Sequence, residues 1–234
     1  MKKIIIASTS TVFGSGYLEY LLPTLQVHFK DVKTLVFIPY ARPGGISYDG
    51  YTSIAKKAFS KIDVVVKGIH EFENPKQALL NAAGIFTGGG NTFELVNQLY
   101  KKDVLVILKQ VLENGTPYLG TSAGSNICGV NMKNTNDMPI VYPASFKTLG
   151  CIPFNINAHY LDPIEGSTHM GETRETRIKE FHIFNETPVL GIREGGWLSV
   201  EGEKITLKGK QSARLFQQNK EPTELESGVV ISIK

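Results

Sequence analysis

One stretch limits the folds open to this chain more than any other: Tyr118-Leu119-Gly120-Thr121-Ser122-Ala123-Gly124-Ser125-Asn126. A short apolar run stops at a serine bracketed by glycines and small residues, in the pattern G-x-S-x-G. Leu119 closes a predicted buried strand, Ser122 falls on a sharp strand-to-helix turn, and Gly120 and Gly124 let neighbouring backbones pass close to it. Two readings stay open here: a nucleophile elbow, or an ordinary glycine-rich turn whose serine caps the next helix. Both require a strand that feeds a helix.

More such units flank it. Lys2–Ser8, Leu35–Pro39, Val64–Val66 and Thr116–Leu119 read as strands. Helical patterns lie between them over Tyr17–His28, Tyr51–Phe59, Pro75–Ala83, Asn91 to about Tyr100, and Val104–Glu113. Apolar runs alternating with helical stripes predict βαβ units, hence an α/β fold with a mostly parallel central sheet and helices on both faces. Further on, Ile152–Tyr160 and Val189–Leu198 are predicted strands, the second interrupted by Arg193-Glu194-Gly195-Gly196, and Glu172–Phe184 is a predicted helix. Leu198–Val200, Lys204–Leu207 and Ala213–Phe216 predict C-terminal antiparallel hairpins, with Gly228–Ile233 as a last strand.

Ile85-Phe86-Thr87 runs into a second glycine turn, Gly88-Gly89-Gly90-Asn91-Thr92-Phe93-Glu94. Asn91 with Glu94 three residues on is a capping-box variant, so a helix should start at once and aim free N–H groups at the carboxyl edge of the sheet. Anions or oxyanions suit that position, although a tight connection without any ligand reads the same way. Ligands of open α/β sheets gather outside the carboxyl ends of strands, where both glycine turns point. Gly14-Ser15-Gly16 has Glu19 in place of the third glycine of a dinucleotide fingerprint, which argues against a nucleotide site.

With 234 residues, 41% of them hydrophobic, the chain suffices for one domain spanning 1–234. A net charge of +3 without any basic block gives no footprint for nucleic acid. The apolar run Ile4 to Ala7 is too short for a signal peptide and no stretch reaches membrane-span length, so a cytoplasmic protein without membrane association is expected. Cys128 and Cys151 lie far apart without a Cys-x-x-Cys, as suits reduced, buried thiols better than a disulfide or zinc site.

A serine alcohol is a weak nucleophile at neutral pH. It needs a base within hydrogen-bond reach, and the base needs a third group to fix its tautomer and stabilise its cation. Ser122, His159 and Glu194 each stand at a predicted strand end, and a parallel sheet would bring all three to one rim. His159 also reads as a hydrogen-bonded structural histidine, and Glu194 as a carboxylate that only meets water. The order serine, histidine, acid departs from the serine, acid, histidine of α/β-hydrolases.

Six segments together carry a resemblance: G-G-G-N-T-F at 88–93, G-T-S-A-G-S-N at 120–126, N-D-M-P-I at 136–140, I-N-A-H at 156–159, G-E-T-R-E-T-R-I at 171–178 and R-E-G at 193–195. In this order, across most of the chain, they resemble peptidase E, the α-aspartyl dipeptidase family of serine peptidases. The resemblance implies a fold similar to class I glutamine amidotransferases and hydrolysis of dipeptides with N-terminal aspartate by a triad falling on Ser122, His159 and Glu194. It implies no metal and no cofactor. Elbow geometry makes the Ala123 N–H one oxyanion donor and the Gly89 N–H the second.

An N-terminal aspartate needs a cation for its side chain and an acceptor for its α-ammonium. Arg174 and Arg177 are candidates for the first, Asp137 and Glu172 for the second. Small aspartyl peptides are then the expected partners, and monomer and homodimer both remain open. The chain departs from the family pattern where I-N-A-H-Y stands for I-N-P-H-F and R-E-G for P-E-G, so the pocket near the triad is expected to differ. Two rivals keep the scaffold: a cyanophycinase-like or other β-aspartyl peptidase, and a ligand-binding domain without catalysis.

Overall fold

The computed structural model describes residues 1–163, 166, 168 and 170–233. In chain order its elements are β1 (Lys3–Ala7), α1 (Leu22–His28), β2 (Thr34–Ile38), α2 (Tyr48–Phe59), β3 (Val65–Gly68), α3 (Pro75–Leu80), β4 (Ile85–Thr87), α4 (Thr92–Lys101), α5 (Leu105–Glu113), β5 (Tyr118–Thr121) and the single turn α6 (Ala123–Asn126). There follow β6 (Asn155–Ala158), α7 (Arg174–Phe184), β7 (Val189–Ile192), β8 (Trp197–Glu201), β9 (Lys204–Lys208), β10 (Ala213–Phe216) and β11 (Thr223–Leu225).

The larger sheet runs β3-β2-β4-β5-β1-β8-β9. Its first five strands are parallel, and β8 and β9 add antiparallel edges. Each central strand is apolar on both sides because helices cover both faces. In β1, Ile4 and Ile6 face a core built with α3, α4, α5 and α6, whereas Ile5 and Ala7 face one built with α1 and α2. A period of two explains the split.

β6, β7, β10 and β11 form a second sheet, in the order β11-β10-β7-β6. The expectation of one rim on one sheet is therefore corrected: Ser122 follows a strand of the first sheet, while His159 and Glu194 follow β6 and β7 of the second, which run parallel to each other. The C-terminal hairpins are likewise divided. β8–β9 closes the first sheet, but β10 crosses to pair with β7.

Several boundaries moved for local reasons. The helix expected from Tyr17 starts at Leu22, because Leu18 is left-handed at φ 58° and Pro23 fits only a first turn. Residues 228–231 hydrogen-bond along β9 but make one isolated bridge, Thr206 with Val230, instead of the expected strand. The polar Thr223–Leu225, which lacks alternation, became β11 instead. Residues 161–170, whose sequence predicts a loop, lie partly outside the described residues. Among those described, no helix is long and apolar enough to cross a membrane. Both cysteines are free and buried, and burial pushes both thiols up, Cys151 to about 12.

Candidate active site

Ser122 sits between β5 and α6 with φ 53° and ψ −110°, a backbone conformation that L-residues rarely adopt. Packing against β4 and bonds within the turn impose it. A Cβ on Gly124 would lie 2.2 Å from the Thr87 carbonyl oxygen, so only glycine lets α6 fold back across β4. The Ser125 hydroxyl reaches the carbonyls of Ala7 (2.6 Å) and Gly120 (2.8 Å), and the Tyr118 phenol donates to the Gly124 carbonyl at 2.8 Å. These bonds pin both arms of the elbow.

The second glycine turn presses on the serine. A Cβ on Gly89 would come within 2.9 Å of Ser122 Cβ, and the buried Tyr51 phenol donates to the Gly89 carbonyl at 3.1 Å, orienting that peptide. Among the described residues the N–H groups of Gly89 and Ala123 have no protein acceptor. They are free to serve an oxyanion.

The start of α4 differs from the expectation. Asn91 accepts the Glu94 N–H at 3.0 Å, but the buried Glu94 carboxylate turns to the amides of Asn97 and Gln98 and completes no capping box. The terminus already holds an anion: Asp137 Oδ2 accepts the Thr92 N–H at 2.8 Å and the Thr135 hydroxyl at 3.0 Å. Asp137 is carried there by asparagines. Asn155 binds Asn131, Asn134 donates to the Ile156 carbonyl, and Asn157 exchanges bonds with Asn136, lacing the 130–137 segment to β6. The run Asn134-Thr135-Asn136-Asp137, polar and turn-like in sequence, is thus part of a side-chain ladder.

Parallel pairing of Ala158 with Ile192 places His159 and Glu194 at adjacent strand ends. His159 Nδ1 lies 2.6 Å from Glu194 Oε1, which assigns the Nδ1 proton to that bond and leaves Nε2 as the acceptor nitrogen. Both side chains are about half exposed, at 38% and 49%. The Tyr20 phenol, which donates to the Thr9 carbonyl, lies close enough to Glu194 that burial first and the carboxylate second hold it above its usual range. No hydrogen bond joins Ser122 Oγ to His159 among the described residues. Such contacts commonly tighten only once substrate is bound.

Arg193 does not add charge to the pocket. Its guanidinium forms a bidentate pair with Asp162 (2.7 and 2.8 Å) and also binds Ser212 and Glu224. On α7, Thr173 is the N-cap, so Glu172 stands before the helix and not in it. Phe184, at the end of that helix, is exposed. Glu172 pairs with Arg177 at 3.4 Å. Arg174 makes no ion pair among the described residues; partial burial and then Arg177 hold its guanidinium below the usual range, while Asp137 pulls it back up. Arg174 is thus within electrostatic reach of Asp137 without pairing to it among the described residues.

A groove of about 850 Å³ lined by Lys3, Val27, His28 and Pro117 opens at the amino ends of the strands, the edge opposite Ser122. His28 there is half-buried and held down to about 4 by desolvation. Nothing else at that edge matches the chemistry above.

The family model described as peptidase family S51 matches residues 4–208. A protein from Streptomyces coelicolor named peptidase E is 44% identical over 229 residues, covering 98% of this chain and 93% of that protein. A Drosophila melanogaster protein named probable alpha-aspartyl dipeptidase is 43% identical over 227 residues, covering 96% and 93%. The crystal structure of a peptidase from an acI-B1 Actinobacterium superposes with a TM-score of 0.75 at 14% identity, covering 100% of this chain and 97% of that one, and so matches its fold.

Proposed function

The chain belongs to peptidase family S51, and on that premise we propose that it is a cytoplasmic, single-domain serine exopeptidase that releases N-terminal aspartate from small peptides, Asp-Leu being a representative substrate. The observation that carries the reading is the His159–Glu194 pair, 2.6 Å apart, with the His159 N–H held by Ser8 and the N–H of the strained Ser122 held by Ala7 beside it. Ser122 Oγ attacks the scissile carbonyl, His159 Nε2 takes the proton and returns it to the leaving amine, and Glu194 holds the imidazole and stabilises its cation. The Gly89 and Ala123 N–H groups receive the oxyanion.

Arg174 is the better candidate for the aspartyl side chain, since Arg177 is already engaged by Glu172. Asp137 takes the α-ammonium through whatever capacity its helix-capping bonds leave. A free aspartyl residue carries a carboxylate and an ammonium a few bonds apart, which matches a neighbouring cation and anion.

The test compares Asp-Leu with Asn-Leu, with the β-linked isomer, and with acetyl-Asp-Leu. Asp-Leu alone should be cleaved well, because each of the others leaves a partly buried charge unpaired or misplaces the carbonyl. Preference for the β-linked isomer would move the chain to the β-aspartyl class, and turnover by a folded Ser122→Ala protein would end the serine mechanism.

A further inference from the structure

We propose that Ser8 is a positioning residue for the base: its hydroxyl fixes the His159 backbone relative to Ser122 across the gap between the two sheets. The inference rests on the triad reading above. No backbone ladder joins the sheets, yet the nucleophile belongs to one and the acid–base pair to the other. At the carboxyl end of β1 two consecutive residues hold both. The Ala7 carbonyl accepts the Ser122 N–H at 3.1 Å and the Ser125 hydroxyl at 2.6 Å. The Ser8 hydroxyl accepts the His159 N–H at 2.9 Å and donates to the Ile192 carbonyl at 2.7 Å.

Adjacent Cα atoms are about 3.8 Å apart, so the anchors of nucleophile and base are one residue's length from each other. Ser8 also donates its own N–H to the Gly196 carbonyl at 3.1 Å, two residues past Glu194. It is fully buried, and one hydroxyl proton and one lone pair account for both side-chain bonds. Only a hydroxyl can do both at this size.

His159 needs the support. At φ 53° it holds a left-handed conformation that a non-glycine residue keeps only where its surroundings over-determine it. The Tyr160 N–H already satisfies the Ile192 carbonyl at 3.1 Å, so losing the Ser8 hydroxyl strands chiefly the His159 N–H. The backbone is then free to relax and carry the imidazole away from Ser122. Among the described residues Ser8 makes no hydrogen bond to Arg174 or Asp137, so binding of the aspartyl residue should be spared.

Ser8→Ala should lower kcat for Asp-Leu about 10- to 100-fold with KM within about threefold, since a displacement near 1 Å in a reacting group costs rate and not affinity. Ser8→Thr, which keeps the hydroxyl, should recover most of the loss, and Ser8→Cys, near in shape but a weak hydrogen-bonding group, should fall between. If Ser8→Ala does not fold, Ser8→Cys is read by the same split against Ser8→Thr. A kcat per folded molecule within twofold of wild type, with only the melting temperature lowered, would overturn the proposal, as would a folded Ser8→Thr no faster than Ser8→Ala. Ser122→Ala in the same assay separates the two claims. If it stays active, the triad reading fails; if it is dead while Ser8→Ala is unimpaired, only the role of Ser8 falls.

Discussion

The elbow that carries Ser122 is braced partly from within, by bonds between residues five and six positions apart, and partly by the Ala7 carbonyl, whereas His159 is held by Ser8, 151 positions away, and Ser8 by Ile192, 184 away. The first region is buried and packed against backbone with no slack. The second is half exposed and assembled from polar contacts between strand ends. Changes around the elbow should therefore register as lost folding, and changes around the acid–base pair as lost turnover in a folded protein.

The largest effect tests whether the two regions act as one unit. Ser122→Ala and His159→Ala should each lower kcat by roughly 10⁴-fold or more, and the double variant should be little worse than either single one. Multiplying losses, measured on protein of native circular dichroism, would show that the regions work independently.

Next comes Gly124→Ala, which places a methyl 2.2 Å from a backbone oxygen that no rotamer change can move. Denaturant unfolding should show a loss of about 3 kcal/mol, the upper end for overpacking. A stability near wild type would mean that the elbow has slack after all.

On the other side, Glu194→Gln replaces a charge-assisted hydrogen bond worth about 1.5–3 kcal/mol, or roughly 10- to 100-fold in kcat, with little change in melting temperature. A loss as deep as that of Ser122→Ala would give the carboxylate more than an orienting role.

The smallest effect concerns Asp162, whose carboxyl is held below its usual range by its hydrogen bonds to Arg193. A group depressed in the folded state stabilises above its unfolded value, near 4, and that contribution disappears as pH falls through the folded value. Asp162→Asn should cost at most about 1 kcal/mol at pH 7, since the pair is partly exposed, and the gap to wild type should close on acidification below about pH 4. Melting curves across that range check it. A gap that widened in acid would have the sign wrong.

What the sequence by itself determined was the class of fold and the residues in question. Apolar runs alternating with helical stripes require a sheet covered on both faces, and the observed sheet is mostly parallel with helices on both sides. G-x-S-x-G dictates part of its own turn, because a Cβ on Gly120 would lie 2.3 Å from the Gly124 carbonyl oxygen only four residues on. The tertiary structure alone decided the rest. That His159 and Glu194 stand on a second sheet, that asparagines carry Asp137 to the end of α4, that Arg193 is neutralised by Asp162 and Glu224, and that Ser8 spans the sheets all depend on hydrogen bonds between segments remote in the chain. Such bonds ask only for a small polar side chain at one position, with no period and no fixed spacing, so nothing along the sequence distinguishes Ser8 from the serines and threonines beside it until the strands are in place.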